Sequence, residues 1–193
     1  MKFLQLLCIL FFLFFSFSCK QNCATTENEI KALMKDKYKK KIIFPSNIEI
    51  LVDSSIINFK ELNNKSQSSN KNTIVHFFTA DCDKCINELI NIKTILDKNK
   101  NDTNVNYMFI SSAPSKIYLL DAIKKIQFPY PIYYEKTYYS FKSLNKLELN
   151  DDLYNTMLVN RNQEVILFGA FYGNQKANRL YKEAIKCNLW TKD

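Results

Sequence analysis

The sequence predicts an α/β fold: a mixed central sheet with helices on both faces, preceded by an N-terminal extension. Three observations predict it. From Thr73 onward the hydrophobic pattern alternates between strand and helix periods, in the order β-α-β-α-(β)-β-β-α. Thr73 to Thr79 carries apolar residues on both faces, the pattern of a central strand covered on each side. The chain then closes with a hairpin and a helix, which makes the sheet mixed rather than purely parallel.

Composition sets the outer limits. The chain has 193 residues, suiting one domain plus extras, and is 47% hydrophobic and 14% aromatic, enough for a packed core. With 2 glycines and 4 prolines it is neither collagen-like nor linker-dominated, and it shows no solenoid or propeller repeat. The net charge is +8, but the basic residues are scattered apart from one run, Lys35 to Lys41. A nucleic-acid-binding protein would need a basic face on a recognised module, and nucleic acid is not an expected partner. The lysines read as a solvated surface, with attraction to an anionic membrane as the alternative.

The N-terminus comes first in the chain. Met1-Lys2 is a short basic start, and Phe3 to Phe17 is almost wholly apolar. That run of roughly 15 residues has signal-peptide length and is short for a spanning helix. It ends at Ser16-Phe17-Ser18-Cys19, followed by polar Lys20. A small residue directly before a cysteine resembles the bacterial lipobox, although Ser16 stands where that pattern favours Leu. The resemblance implies cleavage before Cys19 and lipidation of Cys19, with residues 1–18 as a lipoprotein-type signal peptide. An uncleaved anchor and an ordinary secreted protein are the alternatives. All three put the chain outside the cytoplasm.

Residues 19–41 read as a tether and helix. The helix is expected over Glu27 to Lys41, capped by Thr26, with an apolar stripe thin enough for a lid or stalk. Ile48 to Val52 and Ile56 to Leu62 read as strands, and Asn63 to Asn72 as a polar loop. After the Thr73–Thr79 strand, a helix runs from about Cys82 to Lys98, with Ile86, Leu89, Ile90 and Leu96 on its inner face and Ile92 and Ile95 widening it. Asn104 to Ser112 is the next strand. Pro114-Ser115 opens a helix with Leu119, Leu120, Ile123 and Ile126 inward, and Ile132 to Tyr134 forms a short strand. Tyr138 to Leu144 makes a helical turn or two. Leu153 to Asn160 and Glu164 to Phe168 form the hairpin about Arg161-Asn162-Gln163, and Asn174 opens the last helix. The tyrosines 130, 133, 134, 138 and 139, with Phe141, read as packing around a loop or as a recognition surface.

There are six cysteines. Cys8 lies in the leader. Cys23 and Cys187 are able to pair or to remain thiols, and Cys187 is expected to act as a small buried hydrophobe. Cys82 and Cys85 stand at Cys-x-x-Cys spacing where a helix leaves a central strand. In an oxidising compartment such a pair cycles between dithiol and disulfide. At the helix start, free N–H groups and the helix dipole favour a thiolate on Cys82. Lys84 is expected to help, and Asp81 and Asp83 to oppose. The balance predicts a reducing or isomerising pair. Cys85, one turn on, is the expected resolving thiol. Zinc wants about four ligands at known spacings, and the sequence shows no such set. It also shows no phosphate loop and no nucleophilic Ser/His/Asp set, so no metal or cofactor is expected.

The strand, the Cys82–Cys85 turn and its helix resemble the thioredoxin superfamily, and the extracytoplasmic anchor with extra N-terminal strands resembles its TlpA/ResA-type members. Asn155 to Ile166 resembles that family's terminal hairpin, P-T-t-f-L-I-D-r-d-G-x-I. The resemblance implies a thioredoxin-like domain over residues 42–189. It also implies that His76, the single histidine, aligns with the buried acid that takes the resolving cysteine's proton. Three positions depart from the pattern. Asp81 replaces Trp, Gln163 replaces Gly, and no proline stands at Tyr154 or Asn155. A cis bond without proline costs about 2.5–4 kcal/mol, so a trans peptide is expected there. The implied activity is thiol–disulfide exchange with envelope proteins, with an upstream electron donor as partner and the membrane engaged through lipid on Cys19. The alternative is a binding module in which a structural Cys82–Cys85 disulfide acts as a staple.

Overall fold

The strands are β1 (Ile48–Val52), β2 (Ser55–Asn58), β3 (Asn72–Thr79), β4 (Val105–Ser112), β5 (Ile132–Glu135), β6 (Thr156–Val159) and β7 (Val165–Phe168). In the computed structural model they form one sheet in the order β2-β1-β5-β4-β3-β6-β7. The structure describes residues 23–52, 55–58, 71–98, 105–187 and 189. The leader, Cys19 and the polar loop after Asn63 fall outside these. The helices are α1 (residues 23–34), α2 (Asp83–Lys98), α3 (Lys116–Ile126), α4 (Ser140–Leu144) and α5 (Gln175–Cys187).

The centre of the sheet is β3, parallel to β4 and antiparallel to β6. Its residues from Ile74 to Thr79 are all buried, because both faces are covered. Phe77 stacks on Phe141 of α4 and on Tyr139. On the opposite face His76 meets Tyr172 and Phe109. The expected mixed sheet with helices on both faces is therefore present.

Several local expectations are corrected. The first helix starts at residue 23 and ends at 34, continuing as a 3-10 turn at Lys35–Lys37 rather than running to Lys41. The backbone then leaves the helix to pair with β7: Lys39 N–H donates to Val165 O at 2.8 Å, and Ile42 N–H to Gln163 O at 2.7 Å. Like charges from Lys35 to Lys41 add nothing to a helix, whereas pairing satisfies an exposed sheet edge. Ile30 and Met34 are in the core, so α1 is packed rather than a lid or stalk. Thr26 does not cap it: its hydroxyl donates to Glu183 Oε2 of α5 at 2.9 Å. Along α2 the buried residues are Leu89, Ile92 and Leu96. Ile90 is 40% exposed, because one residue past Leu89 the helix has turned about 100°.

The strand expected over Leu153–Asn160 is shorter. Asp152–Asn155 is a 3-10 turn, because Asp151 Oδ1 accepts the Leu153 N–H at 2.8 Å and caps it. Gln163 holds the hairpin's left-handed position at φ 64°, where the family pattern has glycine. Cys187 is not a buried thiol. It forms a disulfide with Cys23, Cα–Cα 5.4 Å, that joins the end of α5 to the start of α1. Beside it Arg179 grips Glu29 with two bonds of 2.8 Å.

Candidate functional site

Cys82 is the N-cap of α2. Its carbonyl accepts the Ile86 N–H at 3.0 Å, and its Sγ accepts the Cys85 N–H at 3.3 Å. A sulfur thus holds the place that a Ser or Asp oxygen usually takes, aligned with the positive end of the helix. Cys85 lies one turn further in, half-buried, with its Sγ 3.6 Å from the Thr79 hydroxyl. Burial raises the Cys85 thiol above the ordinary cysteine value, and the hydrogen bond to Cys82 adds to this; Thr79 opposes it. Both cysteines are thiols. They open onto a cavity of about 340 Å³ whose wall includes Phe77, Tyr139, Lys142 and Asn155.

The charges expected around Cys82 are spoken for. The Asp81 carboxylate accepts from the exposed Tyr138 hydroxyl at 3.2 Å. Lys84 forms an ion pair with Asp152, across the cavity mouth. Asp152 raises the Lys84 ammonium above its ordinary value. Asp152 Oδ1 also accepts from Asn155 Nδ2 at 3.2 Å. Tyr154 and Asn155 are the two positions where the resembled pattern would put its proline, and among the described residues no peptide bond is cis. Of the aromatic cluster, Tyr134 and Phe141 are buried packing, and Tyr138 and Tyr139 are the members that reach the site.

His76 is brought near β6 rather than into contact with Cys85. It is 1% exposed, and its Nδ1 lies 2.9 Å from Thr156 Oγ1. Its Nε2 has no hydrogen-bond partner. Burial pushes its pKa down to about 3, so the ring is neutral at ordinary pH and is a poor proton acceptor. The contact to the Cys85 sulfur comes instead from Thr79.

Two site residues escaped the sequence reading. Glu88 is half-buried on α2, within electrostatic reach of Tyr172 and Asp152. Burial raises its carboxyl above the usual range, with the Asp152 charge adding to this. The signal was legible: Glu88 lies three residues after Cys85, on the same helix face. Lys142 is the second, a buried lysine in the cavity wall. Among so many lysines, nothing in the sequence singles it out.

No family model matches the sequence, and no curated protein matches it. Solved structures do. The thioredoxin domain of a Bacteroides vulgatus thiol-disulfide oxidoreductase is 13% identical, with 75% of this chain and 96% of that one covered at a TM-score of 0.55. A Chlorobium tepidum protein named as a thiol:disulfide interchange protein DsbE is 10% identical, with 79% and 97% covered at a TM-score of 0.56. A Bacteroides thetaiotaomicron protein named as a protein disulfide isomerase is 16% identical, with 74% and 85% covered at a TM-score of 0.51. At these identities the likeness is one of fold. Together with the sheet order and the cysteine turn that follows β3, it gives this chain the thioredoxin-like fold.

Proposed function

We propose that this chain is a membrane-anchored, extracytoplasmic thiol–disulfide oxidoreductase that reduces or isomerises disulfides in envelope proteins. The observation that carries the reading is the Cys82 sulfur at the N-cap of α2, with the Cys85 sulfur one turn deeper beside the same cavity. The Cys82 thiolate attacks one sulfur of a substrate disulfide, that bond breaks, and a substrate thiolate leaves. Cys85, as thiolate, then attacks Cys82 Sγ in the mixed disulfide. The second substrate thiolate leaves and a Cys82–Cys85 disulfide remains. Two electrons have passed to the substrate, and an upstream dithiol donor restores the pair. The Thr79 hydroxyl, 3.6 Å from the Cys85 sulfur, is the polar group at hand to support the Cys85 thiolate as it forms. The carboxylates of Asp81 and Asp83 beside Cys82, with Lys84 held by Asp152, favour a reductant over a strong oxidant. The apolar leader and Cys19 supply the anchor in this reading, which places the domain in the cell envelope.

The test is reduction of insulin disulfides by the detergent-solubilised protein, with Cys82→Ser as control. Activity in the wild type and its loss in the variant are expected. In cells, Cys85→Ser should accumulate mixed disulfides with partners through Cys82. A wild type without activity, together with a Cys82–Cys85 potential far below about −300 mV, would leave a binding module with a structural disulfide.

A further inference from the structure

Lys142 is a buried charge that the proposed reaction leaves without a task. It is 1% exposed, and its Nζ sits 5.3 Å from the Phe77 ring centroid. It lines the cavity onto which Cys82 and Cys85 open. Among the described residues no carboxylate forms an ion pair with it. Its ammonium donates instead to three main-chain carbonyls: Leu149 O at 2.9 Å, Glu148 O at 3.3 Å and Asp151 O at 3.4 Å. These carbonyls belong to the loop that leads into the 3-10 turn Asp152–Asn155, the segment that faces the cysteines where relatives by resemblance carry proline.

A buried ammonium held by carbonyl dipoles and one aromatic face, with no carboxylate in contact, is not fully compensated. The groups around it are few. From α2 and its N-cap come Cys85 and Cys82. From the loop and its turn come Asp151, whose side chain caps Leu153, and Asp152. From the turn after β3 comes Asp81, bonded by Tyr138. At the end of β5, Glu135 turns its Oε1 to the start of α4, where it accepts from Ser140 and Phe141. All three nearby aspartates already have partners, and Cys85 is the group whose charge changes during the reaction. Burial lowers the Lys142 ammonium from its ordinary value, and the charges of Asp152, Asp151 and Cys85 pull it back up.

We propose that Lys142 is a positioning residue for the resolving thiol: its ammonium pins the 148–151 loop beside the cysteine pair, and its fixed charge favours the Cys85 thiolate when the mixed disulfide is released. The proposal rests on the oxidoreductase reading and deepens it. The step is Cys85–S⁻ plus Cys82–S–S–R giving Cys82–S–S–Cys85 plus R–S⁻. Negative charge forms on Cys85 and leaves with R. A cation beside Cys85 therefore speeds the step without being consumed.

The experiment follows the two thionitrobenzoate releases when the reduced pair meets dithionitrobenzoate, using the full chain with Cys8→Ser and Cys19→Ser to silence other thiols. The first release reports attack by Cys82, the second attack by Cys85 on the mixed disulfide. Lys142→Gln keeps a donor for the loop but removes the charge. It should leave the first release unchanged, move the pH midpoint of the second up by about one unit, and slow it roughly threefold near neutral pH, because the less acidic thiolate is also more nucleophilic. Lys142→Arg should restore the wild-type profile. An unchanged second release in Lys142→Gln overturns the proposal. So does equal slowing in both variants with no shift of midpoint, since that is loop support without a charge effect. Failure of the wild type to give even the first release would overturn the oxidoreductase reading itself, and the proposal with it.

Discussion

An imidazole sealed among Phe78, Phe109 and Tyr172 takes up a proton only by bringing a charge into an apolar site. His76 accordingly has a folded pKa of about 3, against about 6.5 in an unfolded chain. Between these values the unfolded state binds a proton that the folded state refuses. The contribution to stability is therefore complete above about pH 6.5 and is lost as pH falls towards 3. From pH 7 to pH 5 the loss is about 2 kcal/mol. Glu88 and Glu135 act in the opposite sense there, because their raised pKa values let the folded state protonate first. The difference between wild type and His76→Leu isolates the histidine: in urea unfolding the variant should lose less stability over that interval. Equal losses would mean that His76 is protonated in the folded state. At this scale the sequence was a partial guide. It pointed to Cys82 and Cys85, and the spacing of Glu88 was there to be read. The partners of His76 and Lys142 were not: Thr156 lies 80 residues from His76, and the 148–151 loop folds back on Lys142 along an irregular path that no periodicity encodes.

Elements were legible where periodicity was strong and unopposed. The pattern located β3, β4, α3 and α5 to within a residue or two, because their apolar spacing and caps agree. Ser115 accepts the Tyr118 N–H at the start of α3, and Asn174 accepts the Ala177 N–H at the start of α5. The reading failed where tertiary pairing overrode local preference. Lys39 to Ile42 joined β7 instead of prolonging α1, and Asp151 turned the start of the expected strand into a 3-10 turn. Spacing alone could not decide between thiols and a bond for Cys23 and Cys187. Their disulfide closes a loop of 164 residues and works beside Arg179–Glu29 to hold α1 on α5. Closing so long a loop restricts the unfolded chain strongly, typically by about 2–5 kcal/mol. Cys23→Ala with Cys187→Ala should lower unfolding stability by that amount in denaturant titrations. Insulin reduction through Cys82 should survive below the new midpoint. Loss of activity without loss of stability would tie the second disulfide to the redox cycle instead.

The strand directions fix which end of the molecule carries each feature. β3 and β7 are both antiparallel to β6, so they run the same way. The chain therefore leaves β7 at the end where β3 leads into Cys82. From there α5 extends 13 residues, about 20 Å at helical rise. α1 lies antiparallel to it, with contacts in sequence: Glu29 to Arg179, Thr26 to Glu183, and Cys23 to Cys187. At its other end α1 reaches the active-site side, where Met34 Sδ accepts the Phe168 N–H at 3.4 Å. Cys23 thus sits at the end of the domain remote from the thiols. The proposed lipid site, Cys19, is only four residues upstream, a reach of at most about 14 Å. A lipid on Cys19, as proposed above, would hold the remote end to the bilayer and turn Cys82 away from it, towards partners in the aqueous space. The processed, lipidated protein should therefore reduce insulin as fast on vesicles as in detergent, and a bulky polymer-linked maleimide should label Cys82 equally fast in both. Strong slowing on vesicles would bring the cavity against the membrane and reverse this orientation. Such slowing would recast Tyr138 and Leu149, both exposed at the cavity, as membrane-facing residues rather than parts of a surface for soluble substrates.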